Sequence, residues 1–333
     1  MSELTQKDPI TFEQQHLSNC VWAYSKLDIP APTLFSKVAK EVEHRDKSGK
    51  EVFSPQSLTN LVWSFAMAKA PDCDSLFKAV ASQIIRRSNL KRFKPQELSN
   101  ISWSYANATA AVSPPDRGSL FKKIAAELAG RHDWRPFSSH HMATIAWSFA
   151  TVNHRAPMVF NPAFNNALHI KIEEFSPMEL SQLYQWHLWQ TVEMRGSGLN
   201  HPVLISKCYT AFASQQSKVY SVQRDVICTL QSLGLRPKSE VLTKHGFRVD
   251  ATVVVEGRIV GIEVILRRHV IGDKPSNHKP TGGTLMKRRQ LASVEKIKLI
   301  SIPYYEWDAL GHHGSAVRAK KQDYLLSILG LKN

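Results

Sequence analysis

The sequence predicts a multidomain α+β protein, in which an α-solenoid of helix-pair repeats precedes a small α/β domain. Two observations support this: a motif recurs about every 40 residues in the first half, and the apolar pattern becomes strand-like after about residue 244. The formal net charge is +15, which bears on the partner rather than on the fold. A positive excess of that size attracts polyanions. We predict a helical array at 10–190, a helical connector or cap at 191–240, and the α/β domain at 244–331.

The array is defined by a motif with a leucine-type anchor followed by tryptophan. Its copies read HLSNCVWAYSKL, SLTNLVWSFAMA, ELSNISWSYANA and HMATIAWSFATV, and a weaker fifth copy, ELSQLYQWHLWQ, begins near Leu180. Proline directly after Ser54 and Ser176 is typical of the first helical position, and each serine is then placed to cap its helix. A second helix follows in several copies, with the sequences LFSKVA, LFKAVA and LFKKIA. This pattern predicts about five stacked helix pairs.

Two sets of repeated residues within the motif need interpretation. The tryptophans fall on the apolar stripe of each helix, so we expect them in the core rather than stacked on bases: Trp22, Trp63, Trp103 and Trp147. An asparagine precedes the first three tryptophans by three residues, at Asn19, Asn60 and Asn100. These amides either brace the repeat or bind the edge of a nucleic-acid base, and both interpretations stay open.

The C-terminal domain begins with a predicted hairpin. Two β-branched segments, 247–255 and 258–265, flank the turn Glu256-Gly257. A basic loop, a helix near 284–293, a strand at 298–302 and a last helix near 317–329 follow. The order ββαβα predicts a small sheet with flanking helices.

The segments RVDATVVVEGRIVGIEV, TLMKRRQL, ISIPYYEWDAL and KKQDYLLSIL resemble the RAP domain in order and spacing. The preceding repeats are similar to the octotricopeptide- and heptatricopeptide-like repeats of organellar RAP-domain proteins, a group that includes FAST-kinase-domain-containing proteins. The resemblance implies a restriction-endonuclease-like C-terminal fold. It also implies an RNA-binding protein of mitochondria or chloroplasts, acting in RNA processing, stability, translation or ribosomal-RNA assembly. No transit peptide is visible in the sequence.

An alternative function is a metal-dependent endoribonuclease. Such an enzyme needs carboxylates on adjacent strands to hold Mg²⁺, and Asp250 and Glu263 are the candidates, with Lys287 as an accessory base. The nuclease pattern has a lysine two positions after the second acid, where this chain has Ile265. This departure disfavours catalysis, so we expect no cofactor, or Mg²⁺ only if the chain is a nuclease.

A basic segment is the strongest candidate for phosphate contact, because clustered cations bind the nucleic-acid backbone. Its members are Arg267, Arg268, Lys274, Lys279, Lys287, Arg288 and Arg289. We therefore expect single-stranded RNA as the main partner. A second alternative is a scaffold that binds proteins through the repeat surface. No apolar run is long enough to predict membrane insertion, and four scattered cysteines predict neither a zinc site nor a disulfide framework.

Overall fold

A computed structural model describes residues 12–49, 52–70, 73–110, 112–215, 220–272, 276, 278–312 and 314–331. It is an α+β structure, with helices through most of the N-terminal two-thirds and a small mixed sheet near the C-terminal end. The first ten helices are α1 (Gln14–Lys26), α2 (Pro32–Asp46), α3 (Pro55–Ala68), α4 (Asp74–Ile85), α5 (Pro95–Asn107), α6 (Pro114–Gly130), α7 (Ser139–Thr151), α8 (Pro162–Ile170), α9 (Pro177–Leu188) and α10 (Pro202–Ala213).

The predicted helix starts at Ser54 and Ser176 are confirmed. The Ser54 hydroxyl accepts the backbone N–H of Ser57, and the Ser176 hydroxyl accepts that of Glu179. Proline stands in the first turn after each of these caps, where its missing N–H leaves no helical bond unmade. The motif helices therefore begin where the repeat predicts.

The helices stack in two layers. The motif helices α1, α3, α5, α7 and α9 each contact the next in order, and α10 continues that row. The second helices α2, α4 and α6 form a parallel row behind them. Phenylalanines at equivalent positions lie in the core between the layers, as Phe53, Phe93 and Phe137 show. Each pair thus buries its apolar face against its neighbours.

The C-terminal part is built around a four-stranded sheet of order β1-β2-β3-β6, formed by β1 (Lys238–Leu242), β2 (Arg248–Val255), β3 (Arg258–Ile265) and β6 (Lys298–Pro303). The first three strands are antiparallel, and β6 runs parallel to β3. The chain between β3 and β6 forms a two-stranded ladder and a helix. These are β4 (Val270–Ile271), β5 (Lys279–Pro280) and α12 (Gly282–Gln290). The hairpin turn is confirmed: Glu256 and Gly257 both have positive φ, as a type I′ turn requires.

Three helices complete this part: α11 (Ser221–Ser232), α13 (Tyr304–Ala309) and α14 (Ser315–Leu329). A second core joins α11 to the sheet and α14, through Val226, Leu230 and Leu325. The segment 191–240, for which the sequence predicts a helical connector or cap, ends in a helix that packs with the C-terminal sheet. The sequence does not predict strand β1, because KSEVL lacks an apolar face that would be buried.

Candidate nucleic-acid interface

A row of polar and aromatic side chains runs along one face of α1. Gln15, Asn19 and Trp22 are spaced i, i+4 and i+7, which places them on one side of a helix. All three are exposed, and Trp22 retains 42% of its accessible surface. An exposed tryptophan beside two amides is a surface suited to contact with a ligand, because it offers stacking and hydrogen bonding together.

The same row recurs on the next two motif helices. Each has an exposed glutamine followed by a half-buried asparagine and a half-buried tryptophan. Because α1, α3 and α5 are neighbours, the rows lie side by side, and Nδ2 of Asn60 lies 3.5 Å from Oδ1 of Asn19. We call this surface the amide–tryptophan face; it consists of Gln15, Asn19, Trp22, Gln56, Asn60, Trp63, Gln96, Asn100 and Trp103.

The expectation that all four motif tryptophans lie in the core is wrong for Trp22. It is confirmed for Trp147, which is only 8% exposed. The difference arises because α12 packs on α7, and a Cβ at Gly283 of α12 would lie 3.6 Å from the Trp147 ring. Trp147 also donates its indole N–H to Oε1 of Gln185, at 2.9 Å.

Helix α12 is held on the ends of the motif helices by polar contacts. The Arg289 guanidinium donates to the carbonyls of Ala150 and Thr151, at the C-terminus of α7, where the helix dipole favours a cation. The same guanidinium pairs with Glu193 at 2.6 Å, and that carboxylate is 7% exposed. Arg289 is therefore fully engaged within the protein, and we leave it out of the proposed interface.

Two further members of the predicted basic segment are neutralised by acids. Lys279 pairs with Asp74 at 3.1 Å, and Lys287 pairs with Glu263 at 2.5 Å. Lys274 lies outside the described residues. The remaining members are the arginines 267, 268 and 288, for which the described part of the chain shows no carboxylate partner.

Arg267 and Arg268 are exposed and lie beside the C-terminus of α3. The Lys69 ammonium donates to both of their backbone carbonyls, at 3.3 and 2.8 Å. Burial, together with these two arginines, lowers the pKa of Lys69 to about 8. The Arg268 guanidinium lies 5.0 Å from the centre of the Tyr220 ring and donates to its hydroxyl. The result is a positive patch at the end of a motif helix.

The two candidate metal ligands lie opposite each other on β2 and β3. Asp250 stands one position beyond the registered pair Ala251–Ile262, which places it across from Glu263. Oδ2 of Asp250 accepts the backbone N–H of Val264 at 2.8 Å. Burial raises the pKa of Glu263 to about 7, and Asp250 adds to the rise while Lys287 opposes it.

These contacts fit Mg²⁺ poorly. One oxygen of each carboxylate is already committed to a protein donor, which leaves fewer oxygens for a cation that takes oxygen ligands. Within the described ranges, no group of three or more His, Cys, Asp or Glu residues is arranged to hold a metal. Ile265 is buried and supplies no polar group.

Sequence reasoning missed Gln15, Gln56 and Gln96, and it missed Lys69. The glutamines were detectable, since each stands two residues before the leucine anchor in the first three copies. The role of Lys69 was not detectable, because its contact with residues 267 and 268 joins positions nearly 200 apart in the chain. Trp307, in the PYYEWDAL segment, is buried and donates its indole N–H to Asp225.

Fold and site together define an α+β protein whose helical part displays a repeated amide–tryptophan face beside a positive patch. No protein-family model matches the sequence, and no curated protein matches it. The resemblance to RAP-domain proteins therefore stays a prediction. Across the described residues, none of the helices has the length and apolar character that a membrane crossing needs.

Proposed function

We propose that this chain binds single-stranded RNA, with an α-solenoid of helix-pair repeats and a RAP-like domain forming one binding surface. In this proposal it acts in organellar RNA processing, stability, translation or ribosomal-RNA assembly. The observation that carries the proposal is the threefold recurrence of Gln, Asn and Trp at i, i+4 and i+7 on neighbouring helices.

The chemistry of the amide–tryptophan face suits unpaired bases. A carboxamide both donates and accepts, so it can pair with the edge of a base. An indole ring offers a flat surface for stacking, which is worth about 1 to 3 kcal/mol per base. Single-stranded RNA exposes both its base edges and its base faces, whereas duplex RNA hides them. The face therefore favours a single strand.

The positive patch supports the same proposal. Arg267 and Arg268 are exposed, and guanidinium groups bind phosphate with two parallel hydrogen bonds. The chain as a whole carries 43 Lys and Arg against 28 Asp and Glu. A field of this sign draws the phosphate backbone toward the protein and makes affinity depend on salt.

The test is a titration of a fluorescently labelled single-stranded RNA pool, followed by anisotropy over a range of salt concentrations. We expect the logarithm of the affinity to fall linearly with the logarithm of the salt concentration. The double variant Arg267→Gln, Arg268→Gln should reduce the slope by about 1.4, since each phosphate contact contributes about 0.7 for single strands. Arg258→Gln, at the exposed hairpin end of β3, removes the same kind of charge elsewhere and is the control.

A second experiment tests the amide–tryptophan face directly. Trp22→Ala should weaken RNA binding by about tenfold, the loss of one stacked base. Leu27→Ala removes another exposed apolar side chain, 68% exposed, that lies off the face, and it should leave the affinity unchanged. Equal affinities for wild type and Trp22→Ala would count against the proposal.

The endoribonuclease alternative has one observation in its favour, the placement of Asp250 across from Glu263. It requires RNA cleavage in Mg²⁺ or Mn²⁺ that stops in chelator and in the Asp250→Ala variant. Binding without cleavage under these conditions would leave the RNA-binding proposal as the better account.

A further inference from the structure

A cavity of about 240 Å³ opens where the C-terminal end of β3 meets the start of α12. Glu263 and His269 line one side, and Gly283, Thr284, Lys287 and Arg288 of α12 line the other. Its wall thus combines the N-terminus of a nine-residue helix with two cations and a buried carboxylate. None of the roles described above accounts for this combination.

The α12 side of the cavity offers hydrogen-bond donors to an anion. The first backbone N–H groups of a helix have no partner within the helix, and they carry the positive end of its dipole. The Thr281 hydroxyl caps the N–H of Thr284, which leaves the N–H of Gly283, a cavity-lining residue, for another partner. Gly283 has no side chain to cover it.

Arg288 adds a second cation, whose charge also acts on Glu263. In the described part of the chain no hydrogen bond or ion pair engages it, and its Nε is buried without a partner. A half-buried guanidinium in that state is costly to leave unsatisfied. Arg288 lines the cavity, so an anion there can bind its guanidinium.

The opposite side of the cavity offers an acceptor. Glu263 is 7% exposed, and Oε1 binds the Lys287 ammonium. Oε2 is buried and has no hydrogen-bond partner. An oxygen in this state is satisfied only if a donor reaches it, and a ligand hydroxyl in the cavity is one such donor. The cavity therefore suits a ligand with an anionic group and a neighbouring hydroxyl.

The cavity also adjoins the amide–tryptophan face. Gly283 lines the cavity and packs against Trp147, and Trp147 is the fourth-copy equivalent of the tryptophans on that face. Helix α12 contacts both α5 and α7. The cavity therefore lies at the α7 end of the row of motif helices that carry the face.

We propose that this cavity binds a phosphate monoester next to a sugar hydroxyl, and that its source is the terminal phosphate of an RNA strand. The backbone N–H groups of α12 and the Arg288 guanidinium hold the phosphate, and Oε2 of Glu263 accepts the hydroxyl. This inference rests on the proposed RNA-binding function. A free mononucleotide carries the same chemistry, so the experiment must separate the two sources.

The experiment is a competition assay with one RNA sequence in three forms: 5′-phosphorylated, 3′-phosphorylated, and hydroxyl at both ends. Unlabelled competitors keep both ends free of dye. We expect one phosphorylated form to compete about tenfold better than the hydroxyl form, the gain typical of charge-assisted hydrogen bonds. Adenosine monophosphate, titrated by calorimetry, is the arm for a free nucleotide.

Two variants locate the effect. Arg288→Gln should bring the three RNAs to within about twofold of one another. Gly283→Ala adds a methyl group at a cavity-lining residue with only ordinary contact to Trp147, so the protein should fold and the phosphate preference should weaken. Arg258 lies about 16 Å from Glu263 along β3, so Arg258→Gln should keep the preference for the phosphorylated RNA.

Each outcome decides something. If the three RNAs bind equally well, the cavity proposal fails and RNA binding stands. A phosphate preference that survives both cavity variants also overturns it. If no RNA binds, the proposed function fails, and adenosine monophosphate binding that is lost in Arg288→Gln would support the same phosphate chemistry with a free nucleotide. Absence of that binding would remove the cavity proposal as well.

Discussion

The first and fourth motif helices carry the same sequence pattern but differ in what covers them. On α1 the tryptophan of the motif, Trp22, is 42% exposed, whereas on α7 its equivalent, Trp147, is 8% exposed. The local sequences, NCVWAYS and TIAWSFA, are equally apolar around the indole. The difference comes from α12, which arrives from more than 130 residues further along the chain.

This comparison shows that a repeat position has no fixed role. Repeats one to three leave their tryptophans and amides accessible, while the fourth repeat uses the same face to dock the C-terminal part. Asn19, Asn60 and Asn100 are replaced there by Thr144, which is buried. A chain of near-identical units thus divides into a binding region and a docking region, according to what the rest of the chain packs against it.

The largest expected effect follows from this division. Trp147→Ala should lower the free energy of unfolding by about 4 kcal/mol, as large aromatic truncations in cores do. It also removes the hydrogen bond to Gln185. Trp22→Ala should change it by less than about 0.5 kcal/mol, as expected of an exposed site. Urea denaturation measures both, and equal losses would mean that the two positions are not different.

The sequence predicted what local patterns control. Ser54 and Ser176 as caps, and Glu256-Gly257 as the hairpin turn, depend on neighbours within a few residues. The pairing of Arg289 with Glu193 and the packing of Val226 against the sheet depend on segments brought together only in the fold. For the same reason the sequence predicts a single binding segment of seven cations. In the fold, acids from α4, β3 and the π-helical turn at 189–193 neutralise three of these cations.

The docking region should also be sensitive at its polar contacts. Arg289→Gln leaves the buried Glu193 carboxylate without its partner and removes donors from the end of α7. We expect a loss of about 3 kcal/mol in the free energy of unfolding, the range found when one partner of a buried pair is removed. Adding Glu193→Gln to the variant should recover part of that loss. A double-mutant cycle by urea denaturation would show it; additive losses would argue against the pairing.

Close backbone approach gives a smaller effect and a matched control. A Cβ at Gly282 would lie 1.8 Å from the Ala106 carbonyl oxygen, whereas one at Gly283 would lie 3.6 Å from the Trp147 ring. Gly282→Ala must therefore shift α12 off α5 and should cost about 2 kcal/mol. Gly283→Ala should cost much less, because its methyl group makes an ordinary contact. Thermal unfolding of the two variants side by side tests whether α12 docks as described.

The smallest expected effect concerns the pH dependence of the cavity beside the docking region. Burial raises the pKa of Glu263 from 4.5 to about 7, so the folded state disfavours the ionised carboxyl relative to the unfolded chain. The contribution of this group to stability is therefore greatest below about pH 4.5 and is lost as the pH rises through about 7.

The variant Glu263→Gln cannot ionise at this position. Relative to wild type it should gain stability as the pH rises across that window, by up to about 1.4 kcal/mol per pH unit, on top of a constant offset from the altered contact with Lys287. Urea denaturation of both proteins at a series of pH values measures the difference. Parallel stability curves would show that the Glu263 carboxyl has the same pKa in the folded and unfolded chains, which would contradict its burial in the structure.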